Sequence, residues 1–183
     1  HRIGEEFILF IGVLRYYKGL HLLLQAASDI HAHIVIAGSG PCEPAHRMLA
    51  KRLGLRNVTF LGAVDPLDKD ALFRLSALFV FPSHLRSEAF GLSLVEAAMY
   101  GKAMVSSELG TGTTYINIHG ETGLVVEPNN SPALAQAVNR LLANRREREL
   151  LGRNGRKRYL ELFTADTMAR AYAEEYRSVM QEA

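Results

Sequence analysis

The chain has 183 residues, enough for one large domain with a full core, and its composition is that of an ordinary globular protein: 48% hydrophobic, 22% charged, 15 Gly and 6 Pro. A formal net charge of +2 is too weak to imply a nucleic-acid partner, and the single cysteine, Cys42, excludes an internal disulfide framework and fits a reducing compartment. No run approaches the ~18 apolar residues of a membrane span.

The stretch from His1 to Glu6 lacks an initiator methionine and leads at once into a strand-type run, so the chain reads as a piece of something longer. Strand-type runs follow at Phe7 to Leu14, Ile34 to Ala37, Val58 to Leu61, Leu78 to Phe81, Ala103 to Ser106 and Leu124 to Val126. They are short, rich in β-branched and aromatic residues, and continuously apolar, the mark of strands covered on both faces. Helical stretches separate them, at Leu20 to Asp29, Glu43 to Leu53, Pro66 to Leu75 and Gly91 to Tyr100. Such alternation predicts an α/β fold: a right-handed, doubly wound, Rossmann-like parallel sheet of about six strands with helices on both faces. After Pro128 the pattern turns helical, with Ser131 as the expected cap and Pro132 at the first helical position. Breaks are expected near Gly152 to Gly155 and near Phe163 to Asp166, where Thr164 would cap a last helix from Ala165 to Met180. No linker or repeat divides the chain, so residues 1–183 are expected to form one domain with a helical tail.

The segment from Ser87 to Gly101 is the most informative. The helix from Gly91 to Tyr100 is apolar nearly all round, which predicts burial, and Glu96 shares a face with Leu92, Val95 and Met99. An unpaired carboxylate there costs on the order of several kcal/mol, so Glu96 needs either a protein donor or a ligand with hydroxyls. Glu88 lies just ahead of the helix start, where Phe90, Gly91 and Leu92 offer free amides and a positive dipole end. A hydroxyl-binding acid, an anion-binding turn and a second acid within one short stretch suggest a sugar nucleotide.

In an open parallel sheet, ligands sit at the carboxyl ends of the strands, and the remaining candidates fall there. Gly12 to Gly19 encloses Arg15 and Lys18, either a diphosphate-neutralising loop or a strand-to-helix loop with solvated cations. Gly38-Ser39-Gly40-Pro41 is half of a dinucleotide fingerprint, broken at Pro41; a base could approach the turn, or it is a bland turn. Gly110 to Thr114 is either a phosphate- or sugar-contacting loop, through Gly112 and Thr113, or a flexible turn, and no Walker lysine follows it. His84, beside the acid pair, is a ligand-contact candidate, whereas His21, His46 and His119 read as surface or loop residues. No histidine has acidic or cysteine partners at ligand spacing, so no metal site is expected. The basic run from Arg145 to Arg158, interleaved with Glu147 and Glu149, reads as a solvated helix face or as a contact for anionic lipid headgroups.

Glu88 and Glu96 with seven residues between them, Phe90-Gly91-Leu92, Lys18-Gly19 and Gly38-x-Gly40-Pro41 resemble the retaining GT-B glycosyltransferases of family four. The resemblance runs from Phe7 to the last helix and covers only the carboxyl-terminal, donor-binding half of such an enzyme; the amino-terminal acceptor half is missing. It implies that Glu88 binds donor-sugar hydroxyls and that the amides of Phe90 to Leu92 hold the sugar and diphosphate. It further implies that Glu96 binds the ribose diol, Lys18 neutralises the diphosphate, and Gly38 to Pro41 with Gly62-Ala63-Val64 border the base. The pattern departs after Gly12, where Val13 occupies the place of the family's arginine and Arg15 comes two residues later, about 6–7 Å further along an extended strand.

The segment Gly110 to Asn117 is similar to bacterial mannosyltransferases of surface-polysaccharide assembly. It implies GDP-mannose as donor, no resident cofactor or metal, and a glycan or lipid-linked acceptor held by the missing half. A cytoplasmic location is expected, with peripheral contact at the inner face of the membrane. The competing readings are a sugar-nucleotide 2-epimerase or a phosphorylase of the same fold, a non-catalytic nucleotide-sugar or interaction module, and, more distantly, a nicotinamide dehydrogenase.

Overall fold

The computed structural model describes residues 6–182. The residues His1 to Glu5, read above as part of a lead into the first strand, lie outside the described range. Six parallel strands, β1 (Phe7–Ile11), β2 (His33–Ala37), β3 (Val58–Gly62), β4 (Leu78–Phe81), β5 (Met104–Ser107) and β6 (Gly123–Val126), form one sheet in the order β3-β2-β1-β4-β5-β6. Eight helices accompany them: α1 (Leu20–Ala26), α2 (Glu43–Arg52), α3 (Pro66–Leu75), α4 (Leu92–Met99), α5 (Thr113–Ile116), α6 (Ser131–Ala143), α7 (Arg145–Leu162) and α8 (Ala165–Glu182). The expected doubly wound α/β architecture with a helical carboxyl-terminal region is the one observed.

Alternate residues of the central strands β1, β2, β4 and β5 feed two separate cores, which is why those strands read as unbroken apolar runs. Ile8, Phe10, Ile34, Ile36, Val80 and Val105 pack with Leu23 and Leu24 of α1 and with Val138 and Leu141 of α6. On the other face Leu9, Val35, Phe79, Phe81 and Met104 meet Phe73 of α3 and Leu94, Ala97 and Ala98 of α4.

Several expectations need correction. The first strand ends at Ile11 rather than Leu14, because the chain turns at Gly12 to run beside the end of β2. There the Leu14 amide donates to the Ser39 carbonyl, and a side chain on Gly38 would overlap the Gly12 carbonyl. Asn130, not Ser131, caps α6: its Oδ1 accepts from the Ala133 amide at 3.0 Å. No break occurs between Gly152 and Gly155; α7 runs through them, and the interruption falls earlier, at Asn144, whose Oδ1 caps α7 by accepting from the Glu147 amide. Gly152 serves close packing, since any Cβ on it would run into the Gly101 carbonyl at the end of α4. Thr164 does cap α8, accepting from the Thr167 amide at 3.2 Å.

The basic run is in large part the solvated face expected, with Arg145, Arg146, Arg153, Arg156 and Lys157 exposed, and Arg148 departs from it. Arg148 is buried, pairs with Glu6 and donates to the Leu141 carbonyl at 3.1 Å, while Arg156 donates to Met99 and Arg158 to Tyr115. These guanidiniums satisfy carbonyls at the ends of α6, α4 and α5, groups that helix geometry leaves without partners. His46, expected at the surface, is buried on α2. Among the described residues no helix is long and apolar enough to cross a membrane.

Candidate functional site

The strand order reverses between β1 and β4, the place where an open α/β sheet leaves a crevice at its carboxyl edge. A cavity of about 480 Å³ lies there. Ile11 and Gly12 line it from the end of β1, Lys18 from the following loop, Lys69 from α3, and the segment Ser87 to Ser93 with Glu96 from the start of α4.

Two ion pairs face this cleft. Lys18 Nζ lies 2.5 Å from Glu88 Oε2, with side chains 12% and 9% exposed, and the Ser83 hydroxyl donates to the same oxygen at 3.2 Å. Both bonds fall on Oε2, so Glu88 Oε1 takes no bond within the described residues. Lys18 Nζ also lies 4.9 Å from the Phe81 ring centroid, close enough for the ring face to help hold the cation. The second pair joins Lys69 Nζ to Glu96 Oε1. Glu96 therefore has the protein donor that the sequence analysis left as one alternative, and Lys69, which that analysis missed, is a cleft residue. No local signal marked it: Lys69 sits in an ordinary polar stretch of α3, and only packing of α3 beside α4 brings it to Glu96.

Between the two pairs, the turn at Ala89 to Gly91 enters α4 with Gly91 at φ 90°, a conformation that favours glycine. Among the described residues the amides of Phe90, Gly91, Leu92 and Ser93 donate to no acceptor, so a row of N–H groups opens at the positive end of α4. The 111–112 loop buttresses this turn: the Thr111 hydroxyl donates to the Glu88 carbonyl at 2.9 Å, and the Gly112 amide to the Ala89 carbonyl at 2.8 Å. A Cβ on Gly112 would press to 2.7 Å from the Phe90 ring.

The structure thus brings Gly12, Lys18, Glu88, Phe90, Gly91, Leu92 and Glu96 to one cleft. The other candidates stand off it. Arg15 is exposed, Gly38, Gly40 and Pro41 form a turn packed on Gly12 to Leu14, and Val64 packs on the core face of α3 and α4. Gly112 supports the turn from behind, and Thr113 is fully buried with its hydroxyl 3.2 Å from that of Thr111. His84 is buried behind the Lys18 loop, its ring against Tyr16 and His21. The α4 helix is not buried all round: Leu94, Ala97 and Ala98 face the core, whereas Leu92 is 73% exposed and Val95, Glu96 and Met99 are half-buried. Leu92 and Glu96 border open cleft rather than core, which is why Glu96 costs less there than the apolar pattern suggested. Among the described residues no three His, Cys, Asp or Glu side chains come together in a metal-holding arrangement.

An open, doubly wound α/β domain with an amide-lined cleft of paired charges at its switch point is the class that fold and cleft define. The chain belongs to the glycosyl transferases group 1 family, whose pattern matches residues 1–158, and its fold is that of a GT-B glycosyltransferase domain. It is 57% identical over 164 residues to the D-rhamnosyltransferase WbpZ of Pseudomonas aeruginosa, covering 90% of this chain and 43% of that protein. It is 46% identical over 179 residues to the O-antigen chain mannosyltransferase C of Escherichia coli, covering 98% of this chain and 48% of the relative. Among solved structures, sucrose-phosphate synthase from Thermosynechococcus elongatus superposes with a TM-score of 0.86 at 29% identity, over 98% of this chain and 46% of that one. The chain spans about half the length of these relatives.

Proposed function

We propose that this chain is the donor-binding part of a retaining glycosyltransferase that moves a hexose, mannose from GDP-mannose, onto a glycan or lipid-linked acceptor in cell-surface polysaccharide synthesis. The observation that carries this reading is the cleft itself: Lys18, Glu88, the free amides of Phe90 to Ser93 and Glu96 lie in one crevice, a set with the charge and hydrogen-bonding groups that a hexose, a diphosphate and a ribose require. Family membership and the two relatives named for mannosyl and rhamnosyl transfer support it.

In this reading the bond between the anomeric carbon and the diphosphate oxygen breaks, and negative charge grows on the departing diphosphate. Lys18 and the amides at the start of α4 stabilise that charge without a metal. Glu88, with Oε1 still unbonded, accepts from hexose hydroxyls, and Glu96 accepts from the ribose diol once Lys69 has fixed its other oxygen. The acceptor, and any group that activates it, belong to the remainder of the whole protein, which works in the cytoplasm and touches the inner membrane surface peripherally.

A second reading has its own support. The relative that is 57% identical is named for D-rhamnose, which is mannose without the 6-hydroxyl, so the donor hexose is either of these two. Calorimetry of the chain with GDP, UDP, GDP-mannose and the 6-deoxy analogue separates them. Tightest binding of GDP-mannose, unaffected by a chelator, is the expected result. Preference for the deoxy sugar selects the second reading, and no binding of any nucleotide sugar defeats both.

A further inference from the structure

Three rings join the two loops that supply Lys18 and Glu88, and nothing in the proposed chemistry uses them. Tyr16 stacks on His21 with centroids 5.1 Å apart, and His84 stands edge-on to both at 4.9 Å. Tyr16 precedes Lys18 by two residues and His84 precedes Glu88 by four. The same loops are tied through the backbone, where the His84 amide donates to the Tyr17 carbonyl at 3.0 Å and Gly19, at φ 67°, packs against the Pro82 carbonyl. Nδ1 of His21 and Nδ1 of His84 are both buried without a hydrogen-bond partner.

A bare buried Nδ1 is tolerable on a neutral ring, but a proton placed there would have no acceptor and would add charge inside a stack whose neighbour is another imidazole. The groups facing the pair compensate only in part. Tyr16 is a neutral phenol, the Tyr17 carbonyl, which already accepts from the His84 amide, favours a charged His84 less than burial opposes it, and His46 of α2 repels a charged His21. Burial, followed by the proximity of His84 and His46, holds His21 below the ordinary histidine range, and burial does the same for His84.

We propose that Tyr16, His21 and His84 form a positioning clamp that keeps the Lys18 loop against the Glu88 segment while both imidazoles are neutral and releases it when they take up protons. The clamp makes grip on the donor dependent on pH, and it rests on reading the cleft as the donor site. The neutral clamp is fully present above about pH 6.5 and is lost as pH falls toward the lowered values of the two rings.

The test follows the ring protons of His21 and His84 by NMR in the 183-residue chain from about pH 8 to about pH 5, together with amide exchange. GDP-mannose affinity is measured by calorimetry over the same range; its diphosphate diester keeps its charge throughout. Exchange in residues 16–19 and 82–88 is expected to rise as the two rings protonate, while strand β2 stays protected, and affinity is expected to fall about tenfold or more. The double variant His21→Phe, His84→Phe keeps the stack without titrating and should flatten the pH dependence of both readouts. Loops that stay protected while the rings protonate would overturn the clamp, as would an unchanged pH profile in the folded double variant. Failure of GDP-mannose to bind at any pH would sink the donor reading instead, since the exchange measurement judges the clamp with no ligand present.

Discussion

At the residue scale, the cleft is built from groups that neutralise one another until something replaces a partner. Lys18 is nearly buried, held by Glu88 and by the Phe81 ring, and its removal leaves a carboxylate with only Ser83 to satisfy it. In the whole protein, Lys18→Ala is expected to lower kcat about 100-fold or more, with a smaller change in donor affinity, because the cation acts most on charge that develops during bond cleavage. Steady-state kinetics check this, and near-normal kcat would remove Lys18 from the leaving-group role. Glu96 makes a different prediction. Glu96→Ala should weaken GDP binding about tenfold while changing binding of 2′-deoxy-GDP much less, since the deoxy analogue has already lost half of the diol. Equal losses for both nucleotides would mean that Glu96 acts only through its pair with Lys69.

At the scale of elements, two glycines on one helix have opposite expectations. A Cβ on Gly152 would collide with the Gly101 backbone, whereas one on Gly155 would meet only Met104 and Ala98 atoms at 3.6 and 3.9 Å. Gly152→Ala should therefore cost about 2 kcal/mol or more, and Gly155→Ala should be neutral or stabilising by up to about 1 kcal/mol through helix propensity. Denaturant titration of the two variants checks the contrast. Capping gives a similar pair: Asn130→Ala should cost about 1 kcal/mol because the Ala133 amide loses its acceptor, while Ser131→Ala, lacking that role, should cost no more than a few tenths. The glycines were misjudged from sequence for one reason. A glycine pair inside a helical pattern signals a break locally, and only the crossing of α7 over the end of α4 turns it into a packing device. Likewise Arg148 looks solvated in a run of charges until the end of α6 brings a carbonyl to it.

Across the whole molecule, stability should depend on pH through its buried imidazoles. His21, His46 and His84 are all held below the ordinary histidine range, each chiefly by burial. The unfolded chain takes up protons at these sites near pH 6.5 while the folded chain does not, so stability is full above that value and declines below it. Melting curves at about pH 7.5 and about pH 5.5 should show the loss, and it should shrink in the His21→Phe, His84→Phe variant.

The run of apolar segments determined the fold by itself. Strands such as Phe7–Ile11 are buried on both faces, so continuous hydrophobicity alternating with helical periods admits little besides a doubly wound parallel sheet. The acids at 88 and 96, the glycine at 91 and the lysine at 18 were legible too, because their chemistry stands out against apolar surroundings. What only the tertiary structure decided is which groups meet. Lys69 reaches Glu96, His84 turns from the cleft into a ring stack, and the glycines at 38, 40 and 112 hold chain against chain. Those pairings join residues far apart in the sequence, and no local pattern encodes a distance between elements that only packing sets.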